Sequence, residues 1–411
     1  MNDEISQFDI VIAGGGMVGS SLAVALGALD VRVAVVEAVA RGAAGQPSFD
    51  ERSTALSRST QRSFEAMGLW PAIKAASTPI RSVHVSDKGR FGFAHIDAEQ
   101  QNVEALGYVC INRVLGDVLA EALKHASNVQ SYCPARITAV ERRPGANHLT
   151  VAHDDGREEV LAARLLVAAD GARSSLRDML GIAATFTDYR QKAVIGNLLT
   201  ELPNNGCAYE RFTEAGPLAM LPVSNGRTAF VWITESANAD GLLALADAEF
   251  LAALGDAFGT RLGGFSRVGK RAAYPLFLSK AVRLTAERTV LVGNAAHGLH
   301  PVAAQGFNLG MRDVAALCDC VADAADSNGD PGAREHLDRY AAWRKPDQDK
   351  LVGFTDGLVR LFGSQRPGVK VLRNLGMLGF DFVPGVRRRF AEHTMGLKGR
   401  LPRLSRGIAL R

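Results

Sequence analysis

The stretch Phe8-Asp9-Ile10-Val11-Ile12-Ala13 runs directly into Gly14-Gly15-Gly16-Met17-Val18-Gly19. Its first six residues are mostly apolar and β-branched, the pattern of a buried strand. The glycines that follow are spaced G-x-G-x-x-G. Gly14 permits a tight turn out of the strand, Gly16 lets the backbone approach a pyrophosphate, and Gly19 lets the next helix lie close to the sheet. Met17 to Leu29 is rich in Ala, Leu and small residues and reads as that helix. Val31 to Val36 reads as a second strand, ending at Glu37, 18 residues past Gly19. A βαβ unit of about 30 residues is the half-fold that binds dinucleotides. The helix N-terminus offers unpaired amides and a positive dipole end to phosphates, and Glu37 is placed to accept hydrogen bonds from ribose hydroxyls.

Outward from this unit the pattern continues as α/β. Pro47 to Ser63 is polar and loop-like before turning helical. Ile80 to His95 alternates as strands. Asn112 to Ala126 is helical, and Ile137–Val140, Leu149–His153 and Leu161–Ala169 read as strands. Ala193–Thr200, Cys207–Phe212, Leu218–Pro222 and Thr228–Thr234 are short strands separated by Gly, Asn and Pro, which predicts a mainly antiparallel sheet and a second domain. Arg288 to Gly293 returns to a buried-strand pattern. Helices are expected from Gly306 to Asp326, from Ala333 to Lys345, and again from Leu351 to the C-terminus.

The 411 residues are 47% hydrophobic and 22% charged, enough apolar material for a large core and too much for a disordered chain. The net charge is +4, but it is unevenly spread. From Arg387 onward eight basic residues face one acid, Glu392, so this tail carries +7 and the remainder −3. The five cysteines are scattered, with no CxxC pair, which suits a reducing, cytoplasmic compartment. Met1-Asn2-Asp3-Glu4 does not read as a signal peptide, and no apolar run approaches the roughly 18 residues that cross a bilayer.

Two further segments are apolar strands that end abruptly in polar turns, the place where open α/β sheets bind ligands. One is Leu165-Leu166-Val167-Ala168-Ala169-Asp170-Gly171-Ala172-Arg173-Ser174. The other runs from Arg288-Thr289-Val290-Leu291-Val292-Gly293-Asn294 through His297 and His300 to Gln305-Gly306-Phe307-Asn308-Leu309-Gly310-Met311-Arg312-Asp313. With the glycine loop, in this order and spacing, they resemble the aromatic-hydroxylase family of flavoprotein monooxygenases over most of the chain. His84-Val85-Ser86-Asp87-Lys88-Gly89, Glu210-Arg211-Phe212, Gly216-Pro217-Leu218-Ala219-Met220-Leu221-Pro222 and Asn308-Leu309-Gly310-Met311-Arg312-Asp313 are similar to the ubiquinone-biosynthesis branch. Within that branch the match is best to hydroxylases of 2-polyprenyl-6-methoxyphenol.

The resemblance implies FAD, held by Gly14, Gly16, Gly19 and Glu37. It implies cofactor contacts at Arg52, in Phe49-Asp50-Glu51-Arg52, and at Arg113. Asp170 and Gly171 would serve both FAD and the pyridine nucleotide, and Gly293 with Asn294 would lie beside the ribityl chain. Most relatives have Asp at the second of these; Asn294 still hydrogen-bonds a hydroxyl but adds no charge. Ala304 stands where a glycine is common. Gly306, Phe307 and Asn308 open a helix whose N-terminal amides would stabilise negative charge on the reduced flavin. NADPH or NADH would reduce the flavin, and dioxygen would react to give a flavin hydroperoxide that hydroxylates an electron-rich phenol. No residue forms a convincing catalytic base.

Competing chemistries find little support. His297 and His300 form an HxxH pair without the HExxH helix or cysteine partners of a metal site, so no metal is expected. Ser174 and Ser175 lack a GxSxG elbow. Trp70, Trp232 and Trp343 are isolated, unlike a flavin halogenase. The basic tail has few interleaved aromatics, so no nucleic acid is expected. A polyprenylated phenol is the expected substrate. Ubiquinone-biosynthesis proteins and the inner face of the membrane are candidate contacts. Two alternatives stay open: a sister hydroxylase acting on another ring carbon, and a flavin-fold scaffold subunit of the biosynthetic assembly.

The expected architecture is therefore α/β. A Rossmann-type FAD-binding domain comprises 1–78, 101–185 and 282–345. An antiparallel-sheet substrate domain comprises 79–100 and 186–281, and a C-terminal helical region covers 346–411.

Overall fold

The computed structural model describes residues 5–40, 42–43, 50–90, 92–363, 368 and 384–411. Met1–Glu4 and Phe49 lie outside the described residues.

An eight-stranded sheet carries the glycine loop. Its middle strand, Ser6–Ala13, pairs in parallel with Val33–Val36 on one side and Glu158–Ala168 on the other. Val129–Tyr132 adds in parallel beyond the first neighbour and Thr289–Leu291 beyond the second. Ile10, Val11, Ile12, Leu165, Leu166 and Val167 are fully buried, because both faces of this sheet are covered and each apolar strand is hidden on both sides. The register aligns Ala13 with Val36, and Ala13 with Ala168, which aligns in turn with Leu291. Four strands thus end at one edge, and the turns that begin at Gly14, Glu37, Ala169 and Val292 emerge side by side.

The Met17–Leu26 helix and the Gly306–Asp326 helix pack on this sheet and on each other. A three-stranded sheet of Ser53–Ser57, Gly107–Ile111 and Thr78–Ile80 stands beside them.

The nine-stranded second sheet is antiparallel except where Cys207–Phe212 pairs in parallel with Ser82–Asp87. Ser82–Asp87 and Phe93–Asp97 belong to it, although more than 80 residues separate them from its remaining strands. Side chains alternate across its faces. Val194, Leu218, Met220 and Phe230 pack on one face against Phe250, Leu254 and Phe258 of the Asp247–Phe258 helix. His297–Gly298 joins the outer edge of this sheet, so the turn after Thr289–Leu291 links the two sheets directly.

The structure departs from the sequence reading in several places. Ala184–Thr200 is one 17-residue strand, longer than the Ala193–Thr200 segment expected. An irregularity between Asp188 and Gln191, with Arg190 at φ +53°, interrupts its alternation and hides its first half from pattern reading. The Ser236–Ala244 and Asp247–Phe258 helices and the Phe265–Val268 and Ala272–Ala281 strands were not anticipated.

The helix expected to stop at Lys345 continues as Arg334–Gly363 with Pro346 inside it, so the expected boundary at 345/346 falls within a helix. Arg344, Asp347 and Gln348 anchor the chain on both sides of Pro346 through bonds to Arg312 and Asp313, and tertiary contacts outweigh the missing amide. The chain end is not helical to its last residue, as the reading from Leu351 to the C-terminus expected. The Pro384–Thr394 helix stops at Gly396, left-handed at φ +71°, and residues 397–411 then run irregularly over the protein with Leu404 and Leu410 buried.

Candidate active site

The glycine loop has little steric latitude. Gly14 sits at φ +102°, and a Cβ there would lie 2.5 Å from the Ala169 carbonyl oxygen. A Cβ on Gly19 would overlap the carbonyl oxygen of Gly14. Gly16 leads into the Met17–Leu26 helix with extended backbone and no side-chain cap, which leaves the first-turn amides turned toward the strand ends. Glu37 crosses to this loop. Its Oε2 accepts from the Gly15 amide at 2.6 Å and its Oε1 from the Val39 amide at 2.8 Å. A carboxylate offers about four acceptor positions, so Glu37 fixes the loop and still has capacity for ribose hydroxyls.

Asp170 and Gly171 lie on the adjacent turn. Asp170 Oδ2 accepts from the Leu176 amide at 3.1 Å, whereas its Oδ1 is buried without a partner among the described residues. Arg52 and Arg113 are brought together at one end of the Ser53–Ser57/Gly107–Ile111 strand pair, where Ser53 faces Ile111. Arg52 pairs with Asp50 at 2.7 Å and lies over the Tyr274 ring; Arg113, more exposed, pairs with Glu51 at 2.7 Å.

Gly293 adopts φ +57° against Val18, and Asn294 beside it is exposed. The Gly306–Asp326 helix starts without a side-chain cap, and apart from its chain neighbours and its own helix backbone no atom of the described residues lies within 4 Å of where a Gly306 Cβ would sit. Phe307 stacks on Phe64. The Asn308 side chain accepts from the Ser57 amide and the Thr60 hydroxyl, each at 2.8 Å, and donates to the carbonyls of Ala55 and Ala304. That side chain pins the helix to its neighbours and leaves the backbone amides for a ligand. Ala304 is left-handed at φ +48°.

Sequence reasoning missed a charged cluster beneath this turn. Asp313 is fully buried and accepts from Gly293, His297, Arg344 and Gln348 at 2.6–3.1 Å. Burial would raise the Asp313 pKa, but His297 and Arg344 outweigh it and hold the carboxyl well below the usual range. Only the string Asn308–Asp313 hinted at Asp313, and periodicity cannot show which buried arginine answers it. His300 points elsewhere. Its ring meets Tyr189 edge-on, and burial pushes its pKa down to about 4, which keeps it neutral.

Next to the start of the Gly306–Asp326 helix lies a cavity of 470 Å³. Ile80, Val83, Val85, Leu106, Leu221 and Val231 form much of its wall, and Asn308 and Gln305 mark the end nearest the helix. The orphaned Asp170 oxygen, the two uncapped helix starts and the cleared space at Gly306 together fit a dinucleotide that carries an aromatic ring system to the mouth of this cavity.

A family model described as FAD binding domain matches residues 7–355. The chain belongs to the FAD binding domain family. It is a flavoprotein aromatic monooxygenase with FAD as its cofactor and NAD(P)H as its electron donor. The flavoprotein is 38% identical to ubiquinone hydroxylase UbiL of Rhodospirillum rubrum over 98% of this chain and 93% of that protein. It is 30% identical to 3-demethoxyubiquinol 3-hydroxylase of Escherichia coli, over 95% and 98% respectively. Its fold matches the crystal structure of p-nitrophenol 4-monooxygenase PnpA from Pseudomonas putida with a TM-score of 0.80 at 19% identity, covering 96% of this chain and all of that one.

Proposed function

We propose that this flavoprotein hydroxylates the ring of a polyprenylated methoxyphenol in ubiquinone biosynthesis, consuming dioxygen and NADPH or NADH. The carrying observation is the apolar cavity set against the first turn of the Gly306–Asp326 helix. A substituted phenol ring fits a cavity of this size and lining, and each buried methylene of a prenyl tail adds about 0.8 kcal/mol. The names of the relatives from Rhodospirillum rubrum and Escherichia coli support the pathway.

FAD, when bound, supplies electron transfer and oxygen activation. The protein's share is position and dryness. Gly14, Gly16, Gly19 and Glu37 would hold the adenosine and pyrophosphate. Arg52, Arg113, Asp170, Gly171, Gly293 and Asn294 would contact the cofactor along its length. The amides of Gly306, Phe307 and Asn308 would face the flavin ring. The apolar cavity wall excludes water from the reacting ring.

A second reading, hydroxylation at another ring carbon, is favoured by the relative named 3-demethoxyubiquinol 3-hydroxylase. A scaffold role is disfavoured by a glycine loop whose geometry is intact, and substrate-dependent NAD(P)H oxidation would exclude it. The test uses purified protein, a 2-prenyl-6-methoxyphenol and oxygen-18 gas. Label in the new hydroxyl of the para-hydroquinone is expected. Oxygen drawn from water refutes the monooxygenase step, and label at a different carbon moves the assignment to the second reading.

The basic C-terminal surface would touch anionic membrane or a pathway protein. Much of its charge is already engaged: Arg403 pairs with Asp319 and Asp323, Arg411 with Asp326, and Arg388 with Glu392. Arg389 and Arg406 are exposed. Among the described residues no helix is long and apolar enough to cross a membrane.

A further inference from the structure

Among the described residues, Glu210 is the one charged side chain in the wall of the apolar cavity. It lies on the Cys207–Phe212 strand between Ala208 and Phe212, and its register partners on the flanking strands are Val85 and Ala219. Leu361 and Phe390 close the opposite side. Its carboxylate has no hydrogen bond or ion pair among the described residues, and the residue is half-buried in the cavity wall.

The titratable side chains of the surrounding elements turn away from it. His84, His95 and Tyr209 gather on the opposite face of the sheet, and Asp97 pairs with His95. Arg211 and Asp87 interact with each other. Asp356 bonds Tyr189 and Arg360, Glu392 bonds Arg388, and His393 packs on Phe354. Arg227 and Glu235 sit at the two ends of their strand. Burial alone therefore acts on Glu210, and it pushes the pKa up to about 7.

An unpartnered carboxylate in an apolar wall costs folding energy and gains nothing from the packing around it. Its place in the wall makes sense if a ligand supplies the missing partner. We infer that Glu210 is a catalytic residue that accepts the phenolic proton of the substrate in the cavity. The inference rests on the phenol reading proposed above. The O–H bond breaks, its proton passes to a Glu210 oxygen, and the bonding pair stays on the ring oxygen. The ring becomes richer in electrons at the carbon to be hydroxylated. The proton returns to the product oxygen before release, so the carboxylate ends each cycle as it began. A carboxylate whose pKa lies near 7 is a stronger base than an ordinary one and is about half ionised at neutral pH.

The test compares FAD-loaded wild type with Glu210→Gln and Glu210→Asp. Glu210→Gln should keep FAD and lower kcat about 10²- to 10⁴-fold, the usual span for loss of a general base. In wild type kcat/KM should rise with pH through a midpoint near 7, and this limb should vanish in Glu210→Gln. Glu210→Asp should recover part of the rate. A merely structural role predicts a lower Tm for the Gln variant; we expect a higher one.

Binding supplies a readout independent of turnover. Flavin absorbance titrations of oxidised holoenzyme should show the prenylated phenol binding at least tenfold tighter than its O-methyl ether above pH 7. Glu210→Gln should abolish that preference. If wild type shows the preference but does not hydroxylate the phenol, the substrate reading fails and Glu210 remains the phenol acceptor. If the preference is absent in wild type, or the Gln variant keeps the wild-type rate and pH profile, the inference is overturned.

Discussion

The amide of Gly293 donates to Oδ2 of Asp313 at 3.1 Å, across twenty residues of chain. That oxygen also receives His297 at 2.6 Å, so one buried carboxylate holds both the turn at the strand end and the link between the two sheets. The carboxylate is placed to set the shape of the turn from beneath, through Gly293, while Asn294 faces outward.

Asp313→Asn should cost about 3 kcal/mol, the low end of the range for removing one partner of a buried ion pair, because Arg344 keeps its second partner, Asp347. The sign of the pH dependence follows from the depressed pKa of Asp313. Its stabilisation is complete above the unfolded value of about 3.9 and is lost as pH falls through the lower folded value. Urea titrations of both proteins should show a constant gap at neutral pH that narrows in strong acid. A gap that widens on acidification would contradict the assignment.

Glu37→Ala should weaken FAD by about 1.5–3 kcal/mol, the range for hydrogen bonds to a charged group. Two contributions combine: the contact expected with ribose, and the Gly15 amide that Glu37 now orders at 2.6 Å. Fluorescence titration of apoprotein with FAD measures the loss. An unchanged Kd would show that Glu37 serves neither purpose.

Ala304→Gly should stabilise the protein by about 1–2 kcal/mol, the cost of a left-handed backbone for a residue with a Cβ. Ala304 lies at φ +48°, and its carbonyl accepts from Asn308 at 3.0 Å, so the strain sits at the entry to the Gly306–Asp326 helix. Thermal unfolding of the FAD-loaded variant tests this. A lower Tm would mean the left-handed geometry is not strained.

Reversing two tail charges, Arg388→Glu with Arg389→Glu, should weaken binding to anionic vesicles at low salt. Each basic residue near such a surface contributes roughly 1 kcal/mol, and salt screens it. Both side chains are exposed, so the fold should not suffer, whereas deleting the whole tail would also remove buried Leu404 and Leu410. Equal vesicle binding by the two proteins would end the membrane proposal.

Much of the nucleotide-facing half was legible in the sequence because its constraints are local. Phe8–Gly19 states a strand, a turn and a helix start in twelve residues, and the steric limits at Gly14 and Gly19 follow from that order. The Asp313–His297–Arg344 cluster was not legible, because its members come from three separate segments and nothing in their spacing marks them as buried together. Glu210 was visible only as part of the string Glu210-Arg211-Phe212. Alternation along a strand shows that two neighbours face opposite ways, but not which face meets a helix and which meets a cavity. Pro346 misled in the other direction. A local helix-stop signal was overridden by side chains that anchor both flanks of the proline.

Gly306 and Gly19 both begin or enter helices, yet substitution should affect them in opposite ways. A Cβ on Gly19 runs into the Gly14 carbonyl, which is backbone and cannot move aside, so Gly19→Ala should yield protein that does not retain FAD. A Cβ on Gly306 meets, outside its own helix backbone and chain neighbours, no atom of the described residues within 4 Å. By helix propensity valine is no worse than glycine, so the fold itself loses little there. Any larger effect of Gly306→Val must come from what approaches that backbone during function. We expect an FAD-loaded protein with a near-normal Tm, a slower flavin reduction by NADPH, and more hydrogen peroxide released per NADPH consumed. Anaerobic stopped-flow absorbance measures the first rate, and a peroxide assay measures the uncoupling. A Gly306→Val enzyme that is reduced and hydroxylates at the wild-type rate would place the flavin ring away from this helix. A variant that unfolds would show instead that the protein's own packing, not the cofactor, keeps residue 306 a glycine.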